Sequence, residues 1–171
     1  MTPRTAAEIR HVLDTDTAAL AAIYNHFVTD TIVTFEETPI TGDEMLRRVQ
    51  VVRAAMLPWL VAMVDGRVAG YAYASKWKER IGYRHSVEST VYLAPTIAGR
   101  GVGSALYDRL FATLAERGVH AVMGGIALPN DASVALHEKF GMRKVAHFTA
   151  VGYKFGAWID VGYWQRILEP T

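Results

Sequence analysis

The sequence predicts an α/β (α+β) domain in which helices are interleaved with a mostly antiparallel sheet. Apolar residues recur at helical spacing in about four segments and alternate with polar residues in about seven others. The segments follow the order β-α-α-β-β-β-α-β-α-β-β, and no linker, repeat or low-complexity tract divides residues 1–171. Since 51% of these 171 residues are apolar, they can bury one substantial core, and we expect a single layered domain.

The first part of the chain carries a strand and two helices. We predict a strand over Ile9–Leu13, then a helix over 16–29 for which Asp14 or Thr15 supplies the N-cap. A loop over 35–41 precedes a second helix over 42–55.

The middle of the chain reads as a hairpin followed by a third strand. Two apolar runs, Trp59–Val64 and Val68–Ser75, flank Asp65-Gly66, a pair that favours a tight hairpin turn. A strand over His85–Leu93 then leads into a glycine-rich segment.

The last part alternates helices and strands. We predict helices over 101–117, ended by Gly118, and from 129–131 through 140, with strands over 119–127, 142–151 and 158–168 and a turn over 152–156 between the last two.

Composition excludes several classes of protein. The net charge is +1 with both signs interspersed, which argues against a nucleic-acid binder. The absence of cysteine excludes disulfides, thiolate metal sites and a cysteine nucleophile. Residues 1–8 lack the apolar run of a signal peptide and no segment is long enough to span a bilayer, so we expect a cytoplasmic protein that binds neither membrane nor nucleic acid.

The segment from Ala98 to Ser104 predicts an anion site. Gly99, Gly101 and Gly103 follow a strand and open a helix, so backbone N–H groups can approach and face a negative ligand. With Arg100 between two glycines, the pattern favours a pyrophosphate. The spacing fits neither a Walker loop nor a dinucleotide fingerprint. The alternative is a flexible turn that only enters a helix.

Alternation in the strand before this loop nominates a catalytic base. Val87, Ser89, Val91 and Leu93 form a largely apolar face, and Glu88 lies on the opposite face beside Thr90 and Tyr92. A carboxylate desolvated in a cleft has a raised pKa and can act as a general base. The alternative is a structural ion pair with Arg80 or Arg84.

A second candidate lies on the helix after Pro129. Helical spacing places Asn130, Ser133 or Val134, and His137 along one side. The alternative is that His137 is a solvated or packed side chain.

These motifs together resemble the GNAT superfamily of N-acetyltransferases. The glycine loop and the stretch 130–142 are similar to its acetyl-CoA signature. A fuller resemblance, to the phosphinothricin N-acetyltransferase group, covers nearly the whole chain through 23–26, 77–80, 88–92, 128–131 and 154–165. The resemblance implies a GNAT fold: a twisted mixed sheet of about seven strands with about four helices, split in a V between the fourth and fifth strands.

The resemblance also implies roles for individual residues. It makes Glu88 the base, His137 a candidate acid for the leaving thiolate, and acetyl-CoA the co-substrate, with no metal. Cofactor contacts are expected from Val91, Tyr92, Leu93, Gly99, Arg100, Gly101, Val102, Gly103, Ser104, Asn130 and Ser133. Acceptor contacts are expected from Phe35, Lys78, Arg80, Tyr83, Thr90, Gly125 and Ala127.

Two departures from the family pattern bear on these roles. Ala98 stands where the superfamily usually has Gln or Arg, so Arg100 is expected to replace that charge. His137 stands where many superfamily members have a Tyr, and the phosphinothricin group shares the His. Gly125 and Ala127 also differ locally from the herbicide-acetylating members, which reshapes the expected pocket wall.

The resulting hypothesis is acetylation of the α-amino group of a small amino acid analogue such as phosphinothricin, by a homodimer and with herbicide resistance as the associated trait. The alternatives are acetylation of methionine sulfone or sulfoximine, acetylation of a peptide N-terminus, and a non-catalytic acetyl-CoA sensor.

Overall fold

Helices and strands form where the periodicity predicts them in the computed structural model, which describes residues 7–169. The strands are β1 (Glu8–His11), β2 (Trp59–Val64), β3 (Arg67–Lys76), β4 (Ser86–Leu93), β5 (Ala121–Leu128), β6 (Arg143–Lys154) and β7 (Ala157–Ile167). The helices are α1 (Thr17–Asp30), α2 (Gly42–Ala54), α3 (Val102–Glu116) and α4 (Asp131–Lys139).

All seven strands join one mixed sheet in the order β1-β2-β3-β4-β5-β7-β6. Every neighbouring pair is antiparallel except β4 and β5, which are parallel and stay in register only from Ser86 to Glu88. Beyond Glu88 the two strands diverge. The predicted V-shaped split between the fourth and fifth strands is confirmed.

Each face of the sheet buries its own apolar cluster. On one face α3 packs Leu106, Leu110 and Leu114 against residues of β2 to β5. On the other face α1 and α2 cover Trp59, Tyr71 and their neighbours. The alternation predicted for β4 is confirmed, because Val87 and Ser89 are buried on the α3 side while Tyr92 packs with the α1–α2 cluster.

The Asp65-Gly66 hairpin forms as predicted. Both residues have positive φ, 49° and 72°, which suits the two central positions of the tightest hairpin turns. Gly118 likewise ends α3 with φ 72°.

The predicted N-cap of the first helix is wrong. Asp14 pairs with Arg53 across the surface. Asp16 instead receives a hydrogen bond of 2.8 Å from the Leu13 backbone N–H and pairs with Arg10 at 2.8 Å. Because Arg10 of β1 pairs with Asp16, it is Asp16 and not Asp14 that accepts the backbone hydrogen bond at the start of this helical segment.

The turn predicted over 152–156 is also too long. β6 continues through Lys154, and only Phe155 and Gly156 turn the chain. The register shifts between Phe148 and Gly152, and Ala150 has a positive φ of 51° inside this irregularity. Asp160 of β7 accepts a 2.8 Å hydrogen bond from the Ala150 N–H and so holds the bulge. Gly152 therefore marks a bulge within a strand.

No helix in the part of the chain that the structure describes is long and apolar enough to cross a membrane.

Candidate active site

A cavity of about 250 Å³ opens where β4 and β5 diverge. Its walls come from both strands, from one side of α4, from β7 and from the loop between α1 and α2. Predicted site residues that line it are Phe35, Glu88, Thr90, Val91, Tyr92, Gly125, Ala127, Asn130, Ser133 and His137. The divergence of β4 and β5 therefore brings most of the predicted site residues of β4 and of α4 to one cavity.

Backbone groups of β4 face the gap without a strand partner in register. The Ala94 N–H donates to the Ala69 carbonyl on the β3 side. Because successive residues of a strand point their backbone groups to opposite sides, Val91 and Leu93 direct theirs away from β3. The register with β5 ends at Glu88. An extended ligand can therefore pair with Val91 and Leu93 as an added strand would.

The glycine-rich loop enters α3 in a conformation that favours glycine. Gly99 and Gly101 have φ of 78° and 85°, and Gly101 is the N-cap of the helix. Gly99 and Arg100 are exposed. The first N–H groups of α3, from Val102 to Ser104, precede the first internal bond of the helix, which the Ala105 N–H donates to the Gly101 carbonyl. The loop therefore presents donors and the positive end of a helix dipole to solvent.

Glu88 is half-buried and faces the cavity. Desolvation raises the pKa of its carboxyl above the usual value, and the positive charge of Lys78 lowers it by a smaller amount. Among residues 7–169 no ion pair involves Glu88, and the Arg84 guanidinium donates to the Ile81 carbonyl instead. The structure therefore gives no support to the alternative of a structural ion pair with Arg80 or Arg84.

His137 belongs to a buried chain of hydrogen bonds. Its Nδ1 lies 2.7 Å from the Ser133 carbonyl, so Nδ1 carries the proton in the neutral ring. Its Nε2 then accepts from the Tyr107 hydroxyl at 3.1 Å, and that hydroxyl lies 3.3 Å from the Ser89 Oγ. Burial lowers the pKa of His137. His137 is therefore neither solvated nor an isolated packing residue.

The absence of a side chain at Gly124 leaves the space that the His137 ring occupies. A Cβ on Gly124 would lie 2.7 Å from the imidazole ring, closer than real Cβ contacts allow. The glycine of β5 thus lets the ring press against the strand at the edge of the cavity.

Three residues predicted to bind the acceptor, two of them cationic, do not line the cavity. Lys78, Arg80 and Tyr83 are exposed on the segment between β3 and β4. The Lys78 ammonium sits 5.0 Å from the centre of the Trp77 ring, and Trp77 contacts Tyr163 of the cavity wall edge-on. Lys78 is therefore near the cavity mouth, whereas within residues 7–169 no contact joins Arg80 or Tyr83 to it.

Sequence reasoning missed several residues of this site. Tyr107 of α3 reaches the cavity from the buried face of its helix, and Tyr163 of β7 lies opposite Gly125 in the sheet. A tyrosine on the apolar face of the helix that follows the glycine loop was the available signal for the first. Lys139 was missed as well: its ammonium donates to the Ser104 hydroxyl at 2.8 Å, at the first turn of α3.

Residues 20–142 match the model of the acetyltransferase (GNAT) family. The chain belongs to the GNAT acetyltransferase family. It is 42% identical to a phosphinothricin N-acetyltransferase of Streptomyces viridochromogenes, an alignment that covers 97% of this chain and 90% of that protein. It is 34% identical to the L-methionine sulfoximine/L-methionine sulfone acetyltransferase of Salmonella typhimurium, over 94% of each chain.

Solved structures agree with this family assignment. A GNAT phosphinothricin acetyltransferase from Sinorhizobium meliloti, determined in complex with acetyl-CoA, superposes with a TM-score of 0.92. The sequences are 33% identical, and the match covers 96% of this chain and 93% of that one. The expected fold and the acetyltransferase class are thereby confirmed.

The residues present suit an acetyl-CoA ligand on two counts. The free backbone groups of Val91 and Leu93 match an amide-containing arm, and the loop at 99–104 offers N–H donors to a pyrophosphate. A Cβ at Gly103 would lie 3.4 Å from Leu136 and Leu93, so α3 starts close against β4 and α4.

Lys139 is expected to strengthen acetyl-CoA binding. Its ammonium adds positive charge beside the N-terminus of α3, where Ala98 provides none. We expect Lys139→Met to raise KM for acetyl-CoA about three- to tenfold at low salt, with a smaller ratio at high salt because salt screens exposed charges. Lys76→Met, which removes an exposed lysine paired with Glu79, is the control. An unchanged KM in both variants would contradict this role.

Proposed function

We propose that this enzyme transfers the acetyl group of acetyl-CoA to the α-amino group of a small amino acid analogue with a second anionic or strongly dipolar head, such as phosphinothricin. The observation that carries the proposal is Glu88, a half-buried carboxylate with a raised pKa and no ion pair among residues 7–169, at the point where β4 and β5 separate. The acceptors named for the relatives from Streptomyces viridochromogenes and Salmonella typhimurium support it.

In this proposal Glu88 is the general base. Acetyl-CoA supplies an acetyl thioester whose carbonyl is open to attack by an amine. Glu88 takes a proton from the acceptor's ammonium, directly or through a water, so that the nitrogen lone pair can attack. A gap-facing N–H of β4 then donates to the carbonyl oxygen as it gains negative charge. Both reactants are held in one cleft, which removes much of the entropic barrier.

His137 is proposed as the source of the proton for the leaving thiolate. Since Nδ1 donates to the Ser133 carbonyl, Nε2 is the nitrogen that gains or releases the proton, and its hydrogen-bond partner is the Tyr107 hydroxyl. When Nε2 is protonated, its proton passes to the Tyr107 oxygen while the Tyr107 hydroxyl proton passes to the leaving thiolate, so that a neutral imidazole and a neutral tyrosine remain. Burial lowers the pKa of His137 and so disfavours the imidazolium, and we propose that Glu88 carries the larger share of catalysis.

The acceptor is proposed to lie between Phe35, Thr90 and the Gly125 side of the cavity, with its acidic head toward Lys78 and Arg80. These two exposed cations, of which Lys78 lies near the cavity mouth, favour a small acidic ligand over a peptide. A non-catalytic sensor would not need Glu88. Methionine sulfoximine and sulfone stay as alternative acceptors, since they carry dipolar heads of similar size.

The direct test is a panel of acceptors. Thiol release from acetyl-CoA is measured with phosphinothricin, methionine sulfoximine, methionine sulfone, unmodified amino acids and a short peptide with a free N-terminus. Turnover with an amino acid analogue and none with the peptide is the expected result. Acetyl-CoA binding without turnover on any acceptor would overturn the enzymatic proposal in favour of a sensor.

Arg80 is expected to select acidic acceptors. Arg80→Ala should raise KM for phosphinothricin about tenfold and leave kcat nearly unchanged, because the charge contributes equally to ground-state and transition-state binding. An acceptor with an uncharged head should show a smaller change. Arg67→Ala, at the start of β3, is the control. An unchanged KM for the anionic acceptor would remove Arg80 from the site.

The enzyme is further proposed to work as a homodimer in the cytoplasm. β6 is an edge strand of the sheet and exposes Val145, Phe148 and Val151. Exposed apolar groups on an edge strand favour association. Light scattering of the purified protein measures the mass directly.

A further inference from the structure

A buried lysine lies outside the proposed chemistry. Lys154, the last residue of β6, is 1% exposed. No carboxylate among the described residues forms an ion pair with it. Burial lowers the pKa of its ammonium, and the negative charge of Glu37 raises it by a smaller amount. A buried cation without an ion pair is costly unless other groups compensate it, so its partners indicate what the lysine does.

Backbone carbonyls and one aromatic ring compensate the charge. The ammonium donates to the Thr34 carbonyl at 2.7 Å and to the Phe27 carbonyl at 3.3 Å. Phe27 lies in the last turn of α1, where the helix dipole places partial negative charge. The Phe155 ring lies 5.0 Å from the ammonium. Lys154 thus joins the end of α1 to the segment that follows it.

That segment is a wall of the proposed active site. Val33, Thr34 and Phe35 line the cavity opposite Glu88 and Thr90, and Phe35 is 39% exposed. Lys154 donates to the carbonyl of Thr34, the residue before Phe35. Gly152, on the same face of β6, leaves the space that the Phe35 ring fills, because a Cβ there would collide with the ring. β6 therefore sets both the backbone and the side chain of this wall.

Two further contacts tie the segment to α1 and α2. The Thr34 hydroxyl lies 2.9 Å from the Tyr24 hydroxyl, and Glu36 pairs with Arg48 of α2 at 2.8 Å. These contacts tie the segment to the α1–α2 side. Lys154 supplies a hydrogen bond to the segment from the β6 side.

We propose that Lys154 is a positioning residue for acceptor binding, which fixes the wall formed by residues 33–35 without touching either substrate. The expected change in acceptor kinetics rests on the proposed function. The positioning of the wall by Lys154 does not depend on that function. Removal of the ammonium leaves the Thr34 carbonyl without its donor and frees the wall, so acceptor affinity falls while the glycine-rich loop at 99–104, which lies outside this cavity wall, keeps its hold on acetyl-CoA.

The kinetic arm compares Lys154→Met with Lys144→Met, which removes an exposed lysine of the same strand. For Lys154→Met we expect KM for the acceptor to rise about tenfold, with KM for acetyl-CoA within about twofold. In a Phe35→Ala background the same change should have a much smaller effect, because the two residues act on one wall. An equal effect in both backgrounds, or equal changes in both KM values, would overturn the proposal.

The second arm uses hydrogen exchange and needs no acceptor. Amides of the 31–40 segment should exchange faster in Lys154→Met than in wild type or Lys144→Met, with α3 unchanged. Should Lys154→Met fail to fold, Lys154→Gln keeps a donor without the charge and should show a smaller increase. Unchanged exchange in the folded variant overturns the positioning role even if the enzyme is active. Absence of acetylation by wild type overturns the proposed function and leaves this arm intact.

Discussion

Glu88→Gln is expected to lower kcat by about 10²–10⁴, the range over which general base catalysis contributes. The substitution keeps the size and the polar character of the side chain but removes the proton acceptor that faces the cavity. KM for acetyl-CoA should change little. The measurement is steady-state thiol release at saturating acetyl-CoA, and the matched control is Glu79→Gln, an exposed carboxylate of the adjoining segment.

The pH dependence of the acetylation rate is a second test of Glu88 as the base. Catalysis requires ionised Glu88, and burial raises its pKa above the ordinary value of 4.5. The rate should therefore fall on the acid side at a pH above 4.5, and Glu88→Gln should lack this limb. Turnover near the wild-type level at neutral pH would exclude Glu88 as the base.

Stability separates loss of chemistry from loss of fold. A carboxyl whose pKa is raised by folding binds its proton more tightly in the folded state, so its ionisation at neutral pH costs folding free energy. Glu88→Gln should consequently be at least as stable as wild type at pH 7 in thermal unfolding. A lower melting temperature together with lost activity would point to a structural role.

Gly101→Ala is expected to raise KM for acetyl-CoA at least about tenfold, with a smaller change in kcat. Gly101 has φ of 85° at the N-cap of α3, a conformation that costs an L-residue about 1–2 kcal/mol. Relief of that strain would rotate the N–H groups of the loop away from a bound pyrophosphate. Isothermal titration with acetyl-CoA measures the loss directly.

Gly118→Ala is a matched control at the other end of the same helix. Gly118 has φ of 72°, and a Cβ there would meet nothing within 4 Å. The variant should lose similar stability but bind acetyl-CoA normally. Equal loss of affinity in both variants would mean that helix stability, and not loop geometry, controls binding.

Local signals predicted most of the secondary structure and, within the candidate site, the glycine-rich loop and the direction in which Glu88 points. The Asp65-Gly66 turn and the alternation around Glu88 depend on a few neighbouring residues, so they are legible in the sequence. Bounds shifted by a few residues where distant partners intervene. Asp16 replaced Asp14 at the start of α1 because Arg10 lies within reach on β1.

The error at Gly152 has the same origin. A glycine near other turn-forming residues predicts a turn, yet Asp160 on the neighbouring strand stabilises a bulge and lets β6 continue to Lys154. A bulge is set by the register of two strands, and that register cannot be seen from one of them.

The sequence by itself determined the order of elements, the glycine-rich loop at 99–104, the face of Glu88 and, through resemblance, the acetyltransferase family. Only the tertiary structure decided that the Tyr107 hydroxyl and His137 are hydrogen-bonded, that Lys139 donates to Ser104 beside the loop, and that Lys154 donates to the Thr34 carbonyl. The reason is physical. Strand alternation and helix starts arise from contacts within a few residues, whereas these pairs are separated by 30, 35 and 120 residues and meet only when the sheet assembles.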